Sequence, residues 1–476
     1  MTRRVPDPAR TRWWALLVLC LGVLMIVLDT TIVNVALPSI RADLGFSQTS
    51  LVWVVNAYML TFGGCLLLGG RLGDLYGHRR IFLAGLALFT LASLACGLAP
   101  TQTLLVLARA VQGIGGAVVS AVALSLIMNL FTEPADRARA MGVYGFVCAG
   151  GGSIGVLLGG FLTGAFSWHW IFLVNLPIGL VVAALCLLLI PASPGARGAQ
   201  LDWVGAITVT SALMLAVYAV VGGNEAGWGS VRTLGLLAAA VALLAIFLWT
   251  EARVAAPLMP LGLFGHRNIA AANVAGVLWA AAMFAWFFIS ALYMQLVLGY
   301  TPLQVGLAFL PANLIMAALS LGVSARVVMR FGFRWPMASG LLLGAAGLGL
   351  FALAPVQGSF ALHVLPGMVL LGVGAGISFN PMLMAAMSEV GPEDSGLASG
   401  VVNTSFMMGG ALGLAALASL AAGRSANLQA AGALWQEALA GGYRLAFAAG
   451  ALFAATAAAL GLWWMRERAR TAAVNA

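Results

Sequence analysis

Fourteen apolar stretches, most of them long enough for a helix to cross the hydrocarbon core of a bilayer, fill almost the whole chain. Divided at charged, proline or glycine-rich breaks, they cover residues 13–37, 51–71, 80–99, 103–130, 139–165, 170–190, 202–222, 232–250, 269–297, 303–329, 334–354, 360–385, 396–421 and 443–465. Only 8% of the 476 residues are charged and 62% are hydrophobic, whereas a soluble domain carries about 25% charged residues. Lipid must therefore be the main solvent. The expectation is an all-α integral membrane protein of fourteen transmembrane helices.

An even number of spans puts both termini on one side. All 23 basic residues are arginine; with the N-terminus inside, Arg41, Arg232, Arg424 and Arg444 face outward, Arg109 lies within a span, and the rest lie in cytoplasmic segments. Short cytoplasmic loops retain positive charge, so a bacterial inner-membrane location with both termini cytoplasmic is expected. The net charge of +9 does not indicate nucleic acid, because the arginines are dispersed over short loops and form no single patch. Cys20, Cys65, Cys96, Cys148 and Cys186 sit in apolar runs without metal-ligand or disulfide spacing, and are read as packing residues. No Walker motif or catalytic constellation is present, so neither ATP hydrolysis nor another enzyme activity is expected, and no cofactor.

The two halves of the chain echo each other. GRLGDLYGHRR (Gly70 to Arg80) after the second span matches ARVVMRFGFRW (Ala325 to Trp335) after the tenth, pairing Arg71 with Arg326, Gly77 with Gly332 and Arg79 with Arg334. QGIGGA (Gln112 to Ala117) matches LGVGAG (Leu371 to Gly376) in the same way. Duplicated helical bundles around a midplane site are how many secondary transporters are built. The expected organisation is a cytoplasmic tail at 1–12, a six-helix bundle at 13–190, a linker with two inserted helices at 191–268, a second six-helix bundle at 269–465 and a cytoplasmic tail at 466–476.

One acid stands apart. Thirteen of the fourteen acidic residues fall in loops, tails or at helix ends; Asp29 falls within the first span. A carboxylate there costs about 2.5–3.5 kcal/mol on insertion scales, which makes it a functional candidate. Two roles fit: a proton-binding site, or an ion pair that pins helices together. Counting eight residues back from Leu37, and six on from Thr103 to Arg109, places the two side chains at depths of about 12 and 9 Å from the same face. Burial raises an aspartate pKa and a nearby arginine lowers it, so such a pair can be poised for reversible protonation.

LDTTIVNVALP (Leu28 to Pro38), GRLGDLYGHRR, LLVLARAVQGIGGA (Leu104 to Ala117), SWHWIFLVNLPIG (Ser167 to Gly179) and GLASGVVNTSFMMGGALGLA (Gly396 to Ala415) occur in that order. Together they resemble the fourteen-span drug:proton antiporters of the major facilitator superfamily, over essentially the whole chain. The resemblance implies a proton-coupled exporter of small hydrophobic, often cationic compounds working by alternating access. It implies proton coupling or cation recognition at Asp29, proton transfer at Arg109 and Gly113, and gating by Gly70, Arg71, Asp74, Gly77 and Arg79. Gly151, Gly155, Gly159 and Gly160 match the fifth-span antiporter motif, but Val156 stands where that motif carries proline. His169 stands where arginine is common, between Trp168 and Trp170 at the interface. A cavity for such substrates is mostly apolar with a few polar groups. Candidates are Asn34, Asn56, Tyr58, Gln112, Trp286, Tyr293, Gln295, Asn313, Asn380 and Asn403. A dedicated exporter of one endogenous metabolite, antibiotic or lipid is the alternative, and a non-transporting receptor leaves Asp29 unexplained. A lipid-embedded monomer is expected, with the proton as coupling ion.

Overall fold

The structure is a computed structural model that describes residues 8–191, 202–254, 257–389 and 395–466; the rest of both tails, part of the linker and Arg197 lie outside the described residues. In hydrocarbon each backbone N–H and C=O must be paired inside its own segment, and the apolar runs satisfy this as helices. They are α1 (Pro8–Leu44), α2 (Trp53–Tyr76), α3 (His78–Gly97), α4 (Gln102–Leu130), α5 (Pro134–Ala165), α6 (Trp170–Leu173), α7 (Asn175–Leu189) and α8 (Trp203–Ala226). Then follow α9 (Val231–Glu251), α10 (Arg267–Leu292), α11 (Pro302–Ala318), α12 (Ser324–Phe331), α13 (Arg334–Ala352), α14 (Leu365–Met387), α15 (Ser395–Ala430) and α16 (Trp435–Trp464). Single π-helical turns at Tyr293–Val297, Leu319–Val323 and Phe360–Val364 extend α10, join α11 to α12 and lead into α14.

Among the described residues, twelve helical segments are long and apolar enough to cross a membrane, and α5, with its apolar stretch Ile154–Ala165, and the shorter apolar helix α11 stand where the fifth and tenth spans are expected. Several helices overrun their expected ends. The first does not stop at Leu37: α1 passes through Pro38 to Leu44, because a proline inside a membrane helix is tolerated where its surroundings re-satisfy the freed carbonyl. The outer surface is apolar, as lipid contact requires: Leu188 and Trp463 are each 79% exposed and Leu362 is 74% exposed.

Small residues set the packing. At Gly113, a Cβ would stand 2.4 Å from the Tyr58 carbonyl oxygen on α2, and at Gly115, 2.6 Å from the Phe89 nitrogen on α3. The matching glycines of the second half do the same, Gly372 against the Ala312 carbonyl on α11 (2.5 Å) and Gly374 against the Gly340 carbonyl on α13 (2.6 Å). Helices approach this closely in lipid only where side chains are absent from the seam. The repeated joint turns through a glycine of positive φ in both halves, Gly77 (φ 92°) between α2 and α3 and Gly332 (φ 75°) between α12 and α13. Past each joint an arginine donates to a carbonyl on the last helix of its own half: Arg79 to Leu187 at 3.2 Å, and Arg334 to Leu462. The echo read in the sequence thus recurs as geometry.

The helix pair α8–α9 lies through α8 against α2 and α15, which belong to opposite halves. Asn224 on α8 donates to the Ser419 carbonyl and hydroxyl on α15 at 2.7 and 2.9 Å.

Gly113→Ala is expected to lower thermal stability in detergent by overpacking, about 1–3 kcal/mol, because the added carbon would meet α2 backbone. Gly70→Ala, with nothing within 4 Å of the new carbon, is expected to leave it within about 0.5 kcal/mol of the parent. Melting curves of the two purified variants against the parent check the contrast.

Candidate functional site

Asp29 lies near the middle of α1, entirely buried, and Arg109 on α4 is 1% exposed. Arg109 Nη1 donates to Asp29 Oδ2 at 2.5 Å and to Gln112 Oε1 at 2.7 Å, while its Nε donates to the Val54 carbonyl at 2.9 Å. The Asp29 Oδ1 atom accepts from Gln112 Nε2 at 2.8 Å and from Asn175 Nδ2 at 3.1 Å. Both amides also donate to Ser93 Oγ, at 3.0 and 2.9 Å, and that hydroxyl donates to the Phe172 carbonyl at 3.0 Å. The Tyr58 ring lies 4.4 Å from the guanidinium and the Phe172 ring 5.6 Å. Six helices, α1, α2, α3, α4, α6 and α7, therefore converge on one ion pair. Both oxygens of the Asp29 carboxyl are occupied by N–H donors, one of them cationic.

Three points differ from the sequence expectation. Because α1 runs to Leu44, Asp29 lies deeper from that end of its helix than counting from Leu37 gave, and the long arginine side chain spans the difference. Gln112 and Tyr58, expected in the substrate cavity, are part of the Asp29–Arg109 cluster. Asn175 and Ser93 were missed. Asn175 stood in SWHWIFLVNLPIG as a polar side chain in an apolar run, a signal that it needs a partner. Ser93 gave none, since a serine can satisfy itself on its own helix.

The fifth-span glycines stand beside this cluster. A Cβ at Gly151 would meet Val27 at 2.9 Å, at Gly155 the Leu28 carbonyl at 3.0 Å, and at Gly159 the Ile32 carbonyl at 2.7 Å, so α5 lies directly on the turns of α1 that flank Asp29. Gly160 faces the other way, 2.7 Å from the Pro302 carbonyl on α11. Val156 is buried and α5 passes through it unbroken.

The joint after α2 is arranged differently from a loop signature. Asp74 lies in the last turn of α2, half exposed, and pairs with His78 at 3.2 Å. Arg71 is exposed, Gly70 touches nothing through its Cα face, and Arg79 is spent on Leu187. His169 stacks on Trp168 at 3.8 Å, and Trp168 donates to Asp43 at 2.8 Å.

The remaining substrate candidates separate into three groups. Asn56 donates to the Ala411 carbonyl and Gln295 to the Val35 carbonyl, each at 2.9 Å, so both tie one half to the other. Tyr293 donates to Pro355, Asn380 to Ser320, and Asn34 to its own helix at Thr30; Asn403 is half-buried on α15. Trp286 Nε1 and Asn313 Nδ2, like the Tyr58 hydroxyl, are buried donors without a hydrogen-bond partner among the described residues. Trp286 packs on Phe309 of α11 at 5.8 Å between ring centroids, and Phe309 precedes Asn313 by one helical turn.

A family model described as Major Facilitator Superfamily matches residues 19–414. The chain belongs to that superfamily. It is 41% identical over 423 residues to a puromycin resistance protein of Streptomyces alboniger, covering 88% of this chain and 84% of that protein. It is also 41% identical to a cephamycin export protein of Amycolatopsis lactamdurans, over 85% of this chain and 84% of the relative. A multidrug resistance protein of Mycobacterium tuberculosis is 38% identical over 88% of this chain and 78% of its own length. Among solved structures, a bacterial homologue of the human lysosomal transporter Spinster, inward-facing and occupied, superposes with a TM-score of 0.68 at 17% identity, covering 94% of this chain and 96% of that one. This superfamily member is a multi-pass inner-membrane protein and not an enzyme.

Arg109→Ala leaves a buried carboxylate without its cation and is expected to cost about 3–5 kcal/mol. Asn175→Ala removes one neutral donor and is expected to cost about 1–3 kcal/mol. The double variant Asp29→Asn with Arg109→Ala is expected to recover part of the arginine loss, which a double-mutant cycle of melting curves measures directly.

Proposed function

We propose that this protein exports small, hydrophobic, often cationic drugs or antibiotics in exchange for protons, by alternating access, with Asp29 as the proton-carrying group. The observation that carries this is the buried Asp29–Arg109 pair, placed where α1 meets both α4 and the glycine stripe of α5. A proton arriving at Asp29 cancels the charge that holds Arg109, weakening the seam between α1 and α4. α1 is also seated on α5, and α5 touches α11 of the other half through Gly160, so a shift of α1 reaches the inter-half contact. Asp29 has no face open to a cationic substrate in this arrangement, so substrate and proton compete through conformation and not for the same oxygen atoms. One charge moved through 100 mV supplies about 2.3 kcal/mol to drive accumulation.

The organisation we assign is fourteen spans in two six-helix bundles with α8–α9 inserted between them. α5 and the run from α11 through α12 supply the fifth and tenth spans, at 32 residues and residues 302–331. Both termini are cytoplasmic, in keeping with the arginine asymmetry, and the protein works as a monomer. Substrate binds among the second-half rings, where the unpartnered Trp286 and Asn313 donors offer hydrogen bonds to an acceptor on the drug and Phe287 and Phe309 stack at 5.4 Å. The puromycin resistance and cephamycin export proteins, each 41% identical to this chain, support antibiotics as the substrate class. The cephamycin export protein among them also favours a second reading, a dedicated exporter of one antibiotic.

Proteoliposomes with an imposed pH gradient test both readings. Several unrelated dyes, biocides and antibiotics are expected to evoke proton flux in the parent and none in Asp29→Asn. Flux that persists in Asp29→Asn removes Asp29 from the coupling path, and a response to one compound alone selects the dedicated exporter.

A further inference from the structure

A second buried carboxyl cluster lies outside the Asp29 network. Asp202 caps the start of α8 and is 5% exposed; Glu251 ends α9 and is 3% exposed. Each has one oxygen committed to backbone: Asp202 Oδ1 accepts from the Gly205 nitrogen at 2.7 Å, and Glu251 Oε2 accepts from the Met259 nitrogen at 3.0 Å. The other two oxygens, Asp202 Oδ2 and Glu251 Oε1, are buried without a hydrogen-bond partner among the described residues, and the Leu258 N–H also lies by the Glu251 carboxyl. They lie on the same side of Gly205, where an added Cβ would stand 2.4 Å from one and 2.6 Å from the other, and the two carboxyls are within hydrogen-bonding reach of each other.

An ionised carboxylate has only acceptors, so two of them cannot satisfy each other. Burial makes the mismatch costly, and like charges in one site cannot both remain ionised. A cation would resolve it, yet among the described residues no arginine or histidine comes within 4.0 Å of either group. The elements packed around the pair include α2, α8, α9 and the segment at 257–260, with Leu68 of α2 against Ala206 and Leu258; Met259 also packs toward Ile269 of α10 and Val401 of α15, where His266 and Arg267 are exposed. Their charged groups near this end are engaged or turned outward: Asp74 pairs with His78, Arg253 lies over the Trp249 ring at 4.1 Å, and Arg71 is exposed.

We propose that Asp202 and Glu251 hold one proton between them, a second protonation site of this protein, separate from Asp29. The O–H of one acid donates to the free oxygen of the other, completing the hydrogen bonds of both. Through Met259 the site joins the ends of α8 and α9 to the segment that enters the second half. Its proton locks that junction, and its loss sets two like charges against each other there. Gly205 is required because any side chain would enter the space the two oxygens share.

The sign of the pH dependence follows. The native pair retains a proton that the unfolded acids have lost near neutrality, so stability falls as pH rises from the free-carboxylate range through the titration of the pair, then levels off. Infrared titration of the purified protein reads the proton itself, with Asp29→Asn as background so that Asp29 contributes nothing. One protonated-carboxyl band per chain is expected at neutral pH. It is expected to vanish in both Asp202→Asn and Glu251→Gln, whose amides replace the shared O–H and keep the backbone contacts. Gly205→Ala is expected to lose the band with both acids in place, and Glu251→Gln to flatten the fall of melting temperature with pH. Absence of the band at neutral pH overturns the proposal. So does stabilisation of the Asp29→Asn protein by Mg2+ or Ca2+ that disappears in Glu251→Gln, which would make the bridging species a metal cation.

Discussion

The seating of α1 depends on the ion pair between Asp29 and Arg109. A carboxylate and a guanidinium, both withdrawn from water, hold each other only if their remaining hydrogen-bonding groups are also met, and Gln112, Asn175, Ser93, Val54 and Phe172 meet them. These partners come from several helices, so the demand for satisfaction is a demand on helix position. Removing the charge from one member changes what all of those helices have to accommodate. That is the property a carrier needs at the point where a proton is to alter its conformation.

The glycines make the pair mechanically consequential. Gly113 and Gly115 bring α4 onto α2 and α3, so that Arg109 projects inward; Gly151, Gly155 and Gly159 bring α5 onto the turns of α1 that flank Asp29. Packing at this distance transmits displacement, because there is no side-chain layer to absorb it. Gly160, one residue on, faces α11 instead. Val156 in place of proline leaves the helix continuous, so the fifth-span seam here is made by close glycine contact alone. The inserted pair α8–α9 adds a further tie across the halves, with Asn224 of α8 bonded to Ser419 of α15 near one end and the Asp202–Glu251 pair at the other.

Much of this was legible in the residues. Asp29 declared itself because a charge in an apolar run has a large cost, and Arg109 because its depth nearly matched. The repeat was legible because the same joint needs positive φ at Gly77 and Gly332, and the same seams need Gly113 and Gly372. The substrate list fared unevenly. Asparagines, glutamines and tyrosines are chosen in a membrane helix either for a ligand or for another helix, and sequence does not distinguish the two uses. Gln112 went to Asp29, Asn56 to Ala411 and Gln295 to Val35, leaving Tyr58, Trp286 and Asn313 as the candidates with a buried donor unpaired among the described residues.

By itself, then, the chain determined that it lives in lipid as a bundle of helices, that it is internally duplicated, and that its first half holds one buried acid. Those properties follow from local quantities: hydrophobic length, the cost of a charge, and the backbone freedom of glycine. Only the tertiary structure decided which polar groups complete Asp29, that Asp202 and Glu251, some fifty positions apart, come together around Gly205, and which helices bridge the halves. Hydrogen bonds between distant helices depend on rotation and depth fixed by the packing of the whole bundle, and no local pattern encodes them.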